Sequence, residues 1–448
     1  LHRLLLVAVL VALTVGFSVT LLPTDAATSV GHRTFQYGAS CNSTPTGEKP
    51  ESKLWWNDGF WWGSLCTPNN ENHIYRFNLA NHQWVDTGTP IDSRPSAKAD
   101  VLWNGQKLYI ASHVFSNNAS STTAQSQWAR LYRYSYNASN KTYQLDSGFP
   151  VLINRGPAET LVIDRAPSGR LWIAYVQDRK VMVNYSVGND ATWGTPFALP
   201  VSGASDLSSD DIASLIVFDR TTTQAKIGVL WSNQQTQRMY FAVHLDEASP
   251  NEWSVASLPI ATNSLAADDH INIKLQSDGK GIYAVTKTSN TQPNDPLILL
   301  LSCRNNCQFM GNWSITPVYR VADEHTRPIV LLDITNRKVN VFTSTPETGG
   351  SIHRAVYAMD TLSASSQAES KGVVMQNDLD VRLNNPTSTK QTVNHSTGML
   401  VLASDQQTRY YVHSYISLGD SQAPSPTPVP DGVQMRRILL PMVRTPSR

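Results

Sequence analysis

Seven times along the 448-residue chain, a short apolar run leads into a turn sequence and out through a second apolar run. The first three hairpins pair Lys53 to Trp56 with Phe60 to Trp62, Asp100 to Trp103 with Leu108 to Ala111, and Thr160 to Ile163 with Leu171 to Tyr175. Next come Leu215 to Phe218 with Ile227 to Trp231, and Ile271 to Leu275 with Ile282 to Val285. The last two pair Ile329 to Leu332 with Val339 to Phe342, and Gln391 to Val393 with Leu400 to Ala403. Turns such as Asn57-Asp58-Gly59, Asn104-Gly105 and Asp278-Gly279 lie between the runs. Asn-Gly and Asp-Gly suit hairpins because both central positions tolerate a positive φ.

Most of these units carry a second hairpin whose last strand bears an aromatic residue: Trp84, Tyr143, Trp193, Trp253 and Trp313. Those aromatics recur about every 50 to 60 residues, a period that marks propellers and arrays. Two hairpins per period make four strands per unit. The pattern predicts an all-β fold, a single β-propeller over residues 33–418, with seven four-stranded blades; six blades and one irregular unit is the rival count. The seventh unit, Lys390 to Leu418, offers only three strands. An open sheet edge invites aggregation, so the segment Arg33 to Gly38 is expected to supply the missing strand and close the ring. Trp55-Trp56 and Trp61-Trp62 are consecutive pairs and cannot all point to one face. Blades pack on both faces, so core packing between blades is the expected role for these indoles; a stacking platform for sugar rings is the alternative.

Both ends of the chain differ from this body. Leu4 to Leu22 is almost wholly apolar, follows His2-Arg3 and precedes Pro23-Thr24-Asp25-Ala26-Ala27. Residues 1–26 therefore read as a secretory signal peptide, with an uncleaved membrane anchor as the competing reading. Cleavage would leave no membrane span in the mature protein. Residues 419–432 form a Pro-rich, PPII-type linker. Residues 433–448 form a short apolar and basic tail, read either as a sorting or surface-retention tag or as a disordered end. An extracellular or cell-surface location follows. The four cysteines fit export, where even counts usually pair. Cys303 and Cys307 flank a turn-like tripeptide and are expected to bridge locally, leaving Cys41 to pair with Cys66. No His lies beside either pair at zinc-ligand spacing.

Charged residues are 16% of the chain and the formal net charge is +1. With no basic block, a nucleic-acid partner is excluded. No P-loop, Gly-x-Ser-x-Gly elbow or His-Glu-x-x-His motif occurs. A monomer is expected.

The segments Asp268-Asp269-His270-Ile271-Asn272 and His325-Thr326-Arg327-Pro328-Ile329-Val330-Leu331 resemble stretches of a bacterial propeller group without an assigned function. Over roughly residues 33–418 the chain resembles secreted bacterial β-propellers of the broad sialidase-like type. Sialidases carry repeated Asp boxes, Ser/Thr-x-Asp-x-Gly-x-Thr-Trp, and none occurs here; Ser277-Asp278-Gly279 is only a turn. Fold-level likeness does not transfer function.

What the resemblance implies is a place: functional groups gather at one mouth of the central channel, at the starts of the innermost strands. Polar residues recur there as Lys53, Lys98, Glu159, Asp211, His270, Arg327 and Lys390. The loops leading in add Arg94, Arg155, Asp210, Asp269, His325 and Arg382. Three chemistries fit. Glycan hydrolysis, or lyase action on acidic sugars, needs paired acid and base groups. Glu159, Asp211 and Asp269 are the carboxyl candidates, with His270 or His325 as a titrating group near neutral pH. Arginines Arg94, Arg155, Arg327 and Arg382 would hold a sugar carboxylate by bidentate bonds, with Lys53, Lys98 and Lys390 adding charge. Binding of a glycan or surface polymer without catalysis is the second, and the preferred one. It draws on the long loops Cys66 to His73, Ser112 to Arg130 and Lys287 to Pro296, the second of which holds Trp128 as a candidate stacking residue or loop anchor. A structural or adhesive surface role is the third. No cofactor is required, although Asp210-Asp211 and Asp268-Asp269 offer hard oxygen ligands suited to Ca²⁺.

Overall fold

A computed structural model describes residues 30–41, 44–47, 49–94, 96–220, 225–257 and 266–419. The signal, most of the linker and the tail lie outside the described residues. Seven antiparallel sheets follow one another along the chain. Five are four-stranded meanders, one is a meander whose third strand pairs with two further short strands, and one is completed by the first strand of the chain; consecutive innermost strands contact one another around a ring. The fold is the seven-bladed propeller that the hairpin period predicts. Helical structure among the described residues is confined to three short 3₁₀ turns, and no helix among them is long and apolar enough to cross a membrane.

The innermost strands are Leu54–Asn57, Ala97–Trp103, Leu161–Arg165, Ala213–Phe218, Ile271–Leu275, Thr326–Asp333 and Leu383–Thr387. All but the last coincide with the first apolar runs of the repeat. In the seventh blade the inner strand is Leu383–Thr387 rather than Gln391 to Val393. The segment Leu-Asn-Asn-Pro-Thr reads as a turn in sequence, and it does bulge: Asn385 has φ 54° and the pairing register shifts between Asn384 and Thr387. The stretch after it makes only isolated parallel bridges, Leu54 with Thr389 and Asp333 with Val393. These tie the seventh blade to its neighbours on either side.

Ring closure follows the expected route. His32–Gln36 pairs antiparallel with Tyr410–Ile416, with His32 opposite His413 and Gln36 opposite Tyr410. Arg33 lies over the Tyr410 ring at 3.4 Å and bonds Asp380 at 3.1 Å. Both disulfides form as expected, Cys41–Cys66 and Cys303–Cys307. The first ties the segment after the closing strand to blade one.

The indole pairs are core. Trp55, Trp61 and Trp62 are fully buried. Trp55 and Trp62 pack edge-on against Tyr143 of blade two. Trp61 turns the other way and donates to the Thr397 carbonyl of blade seven at 2.8 Å. One hairpin thus fills the seams on both sides of its blade. Truncating such an indole costs about 3–5 kcal/mol.

Candidate functional site

Inner strands begin at one mouth of the channel, the upper mouth, and end at the other. The upper mouth is not open. Between the closing strand and blade one, the chain crosses the channel, and Thr46, Lys49, Glu51, Ser52 and Lys53 are all buried. Thr46 bonds Ser404 of blade seven at 2.8 Å. Thr44 accepts from Lys98 of blade two at 2.9 Å. The Lys49 carbonyl accepts from Asn272 of blade five at 3.0 Å. The Ser52 amide donates to Asp100 of blade two at 2.9 Å, and its hydroxyl accepts from Lys274 of blade five at 3.1 Å. A decapeptide touching blades on opposite sides of the ring can only lie across its axis.

This crossing segment consumes much of the sequence-predicted ring. Lys53 donates to Glu51 at 2.7 Å and to the Ala99 carbonyl at 2.6 Å. Glu51 also binds His113 at 2.6 Å and accepts from the Leu161 amide at 3.0 Å. Burial pushes the Glu51 carboxyl up, but Lys53 and His113 outweigh it and hold it at about 2. Lys98 sits 4.4 Å from the centre of the Phe115 ring.

Glu159, Asp269 and His270 do come together. The Lys49 ammonium bonds Glu159 at 3.0 Å and also bonds Asp269. His270 Nδ1 lies against both Asp268 and Asp269, 2.6 Å from the latter, and its Nε2 faces Thr326 at 3.3 Å. Desolvation disfavours His270's charge, yet the two aspartates raise its pKa; the same histidine and Lys49 hold Asp269 well below the usual range against its own burial. Glu159, Asp210 and Asp269 bring carboxylate oxygens within 4.8 Å of one another. Partial burial and the neighbouring Asp269 push exposed Asp210 up. Such a trio could gather a hard cation, but the Lys49 ammonium already neutralises two of its members. Beside Glu159 there is space of only about 10 Å³, enough for about one water.

The remaining candidates are scattered. Asp211 turns away from Asp210 and accepts from the Ser208 and Gln234 amides. Arg94 pairs with Asp92 at 2.6 Å and holds the Trp128 carbonyl at 2.9 Å. Trp128 itself donates to Thr122 at 2.7 Å, which makes it a loop anchor. His325 is buried and stacked 3.4 Å from Tyr319, and burial drives its pKa down to about 3. Arg327 donates to Asn385 at 3.0 Å. Arg155 and Arg382 are exposed. Lys390, which follows the displaced inner strand, lies toward the lower mouth.

There a cavity of about 300 Å³ opens between the ends of the inner strands, roofed by Pro50 of the crossing segment. That volume falls at the low end of the range for small-molecule sites. Leu102, Trp103, Leu215, Ile216 and Ile273 are among its apolar lining. Its polar lining is Lys274, Lys390, Arg220 and Asp164 together with small uncharged groups. Arg220 pairs with Asp164 at 2.5 Å. Lys390 pairs with Asp100 at 2.5 Å and also reaches the Ile163 carbonyl. The buried acids are structural as well: Asp100 accepts from the Ile163 amide and Asp164 from the Val217 amide, each bonding one inner strand to the next blade. The sequence does carry a signal for this end, an acid or lysine directly after an apolar residue in a buried strand at Asp100, Asp164 and Lys274.

No known protein family matches the sequence, and no curated protein matches it. Solved structures resemble its architecture. A periplasmic gluconolactonase from Pseudomonas aeruginosa is 12% identical, with a TM-score of 0.45, over 87% of this chain and 96% of that one. An α-L-arabinanase from Penicillium chrysogenum is 11% identical, TM-score 0.45, over 75% of this chain and 99% of that one. A lectin from Aleuria aurantia is 10% identical, TM-score 0.42, over 75% and 96% respectively. At such identities no activity is carried across.

Proposed function

We propose that this chain is an exported binding module that holds the acidic end of a saccharide in the lower cavity of the propeller. One observation carries the reading: an indole and aliphatic side chains line the cavity together with the guanidinium of Arg220 and the ammonium of Lys390. An apolar face for a sugar ring and cations for its carboxylate are the two features such a ligand needs. The site moves with it from the upper mouth, which Thr46, Lys49 and Ser52 cross, to the lower. Two disulfides support an oxidising compartment.

Hydrolysis has one observation in its favour. Asp210 and Asp269 are neighbours whose pKa values are pushed apart, as an acid and base pair requires. Against it, the space beside Glu159 admits only about one water among the described residues. Calorimetric titration of the purified protein with galacturonic acid and with galactose tests the proposal. The acid should bind and the neutral sugar should bind at least about tenfold more weakly, a difference of about 1.4 kcal/mol. Equal affinities, or no binding of any acidic saccharide, would overturn it. Release of new reducing ends from a polysaccharide would favour the hydrolytic reading.

A further inference from the structure

Lys274 is the least expected residue in the lower cavity. It comes from near the end of the inner strand Ile271–Leu275, is buried, and lines the cavity. Its ammonium has one bonding partner among the described residues, the uncharged Ser52 hydroxyl at 3.1 Å. No carboxylate lies within ion-pairing distance of it among those residues; nearby Asp100 pairs with Lys390 and Asp164 with Arg220. A buried ammonium without a counter-ion carries a desolvation penalty of several kcal/mol and sheds its proton instead. Lys390, lining the same cavity, adds a like charge.

Resting on the reading of this cavity as a site for acidic saccharides, we propose that Lys274 is a nucleophilic amine that forms an imine with a ligand carrying both a carbonyl and a carboxylate, such as the open-chain reducing end of a uronic acid. A cationic neighbour and an apolar surround are how proteins keep a lysine unprotonated for this chemistry. The Lys274 nitrogen attacks the carbonyl carbon, and a proton passes from nitrogen to the new alkoxide. The carbinolamine then loses its hydroxyl with a second proton as water, leaving the carbon–nitrogen double bond. No oxidant or reductant takes part. Arg220 and Lys390 supply the charge that holds the ligand carboxylate. The balance at Lys274 sets the working pH: burial and Lys390 lower its pKa while Asp100 and Asp164 raise it, to a net value of about 7.

The test uses the full chain with glyoxylate, an aldehyde that carries a carboxylate, and cyanoborohydride to trap any imine as a carboxymethyl-lysine found by peptide mapping. Near pH 7 an exposed lysine is all but fully protonated, so labelling of Lys274 should outpace that of exposed lysines by more than about tenfold. Lys274→Arg should remove that label alone. Lys390→Met should slow it and move its pH midpoint upward, because Asp100 is then left to stabilise the Lys274 ammonium. Labelling of Lys274 no faster than that of exposed lysines overturns the proposal. If galacturonic acid still binds in that case, the binding reading stands and only the imine falls; if neither ligand engages, both fall.

Discussion

The imidazoles of His32 and His82 stack with their centres 3.6 Å apart, on the seam where the last blade meets the first. His82 Nδ1 also faces His413 Nε2 at 3.3 Å, so three histidines share the ring closure. Burial, and for His32 and His413 the neighbouring imidazoles, lower all three below the ordinary 6.5. They take up protons at lower pH in the folded ring than in the unfolded chain, which does so near 6.5. The stability they contribute is therefore complete above that pH and declines as pH falls below it. Melting temperature should drop on acidification below about pH 6.5, and His32→Gln with His82→Gln should flatten part of that slope. A slope unchanged in the double variant would show that the seam does not sense protons.

Closure also depends on Cys41–Cys66, which spans 25 residues of sequence, while Cys303–Cys307 spans 4. The longer loop restrains the unfolded chain more. Replacing both cysteines of the first pair by serine should cost about 2–4 kcal/mol and lower the melting temperature. The same change at the second pair should cost less. Thermal unfolding of the two double variants compares them directly.

The blades are legible because each needs its own turn chemistry and five units repeat an aromatic residue near their end, both local in sequence. Closure by an N-terminal strand was legible because a ring with a three-stranded unit has an edge to fill. Leu383–Thr387 was not, since Asn384-Asn385-Pro386 is turn chemistry used here inside a bulged strand. That single shift moves Lys390 from the expected upper ring to the lower cavity. The crossing segment is not legible for a different reason. Its partners, from Asp100 to Ser404, belong to other blades, and distances between blades are not written in any local pattern. Glu159, Asp269 and His270 come together in the structure, but Lys49, the residue that occupies them, lies in a stretch of sequence with no periodicity.

Lys49 offers its own test. Its side chain and those of Glu159 and Asp269 are 5%, 7% and 14% exposed, so the ammonium compensates two buried charges, sharing Asp269 with His270. Lys49→Met should destabilise the fold by about 3 kcal/mol or more, the usual cost of breaking a buried pair. With the ammonium gone, the oxygens of Glu159, Asp210 and Asp269 suit a hard cation. Millimolar Ca²⁺ should then raise the melting temperature of Lys49→Met and leave the native protein unchanged. Equal response of both proteins would mean that Lys49 does not stand in a cation's place.

Trp103 separates ring recognition from charge recognition at the lower mouth. It ends an inner strand, is half-buried, and lines the cavity with Arg220 and Lys390. Its ring meets Tyr143 edge-on at 6.0 Å, a contact that fixes the indole without covering it. A saccharide gains from the indole by burying its apolar face, whereas glyoxylate has no ring to bury. Trp103→Ala should therefore weaken galacturonic acid binding roughly tenfold, about 1.4 kcal/mol of lost apolar contact. The same variant should leave glyoxylate labelling of Lys274 close to the native rate. Arg220→Ala should do the reverse in one respect, weakening both, because both ligands carry the carboxylate. If Trp103→Ala depresses both readouts equally, the indole acts by shaping the cavity, and the claim that it stacks on a sugar ring is lost.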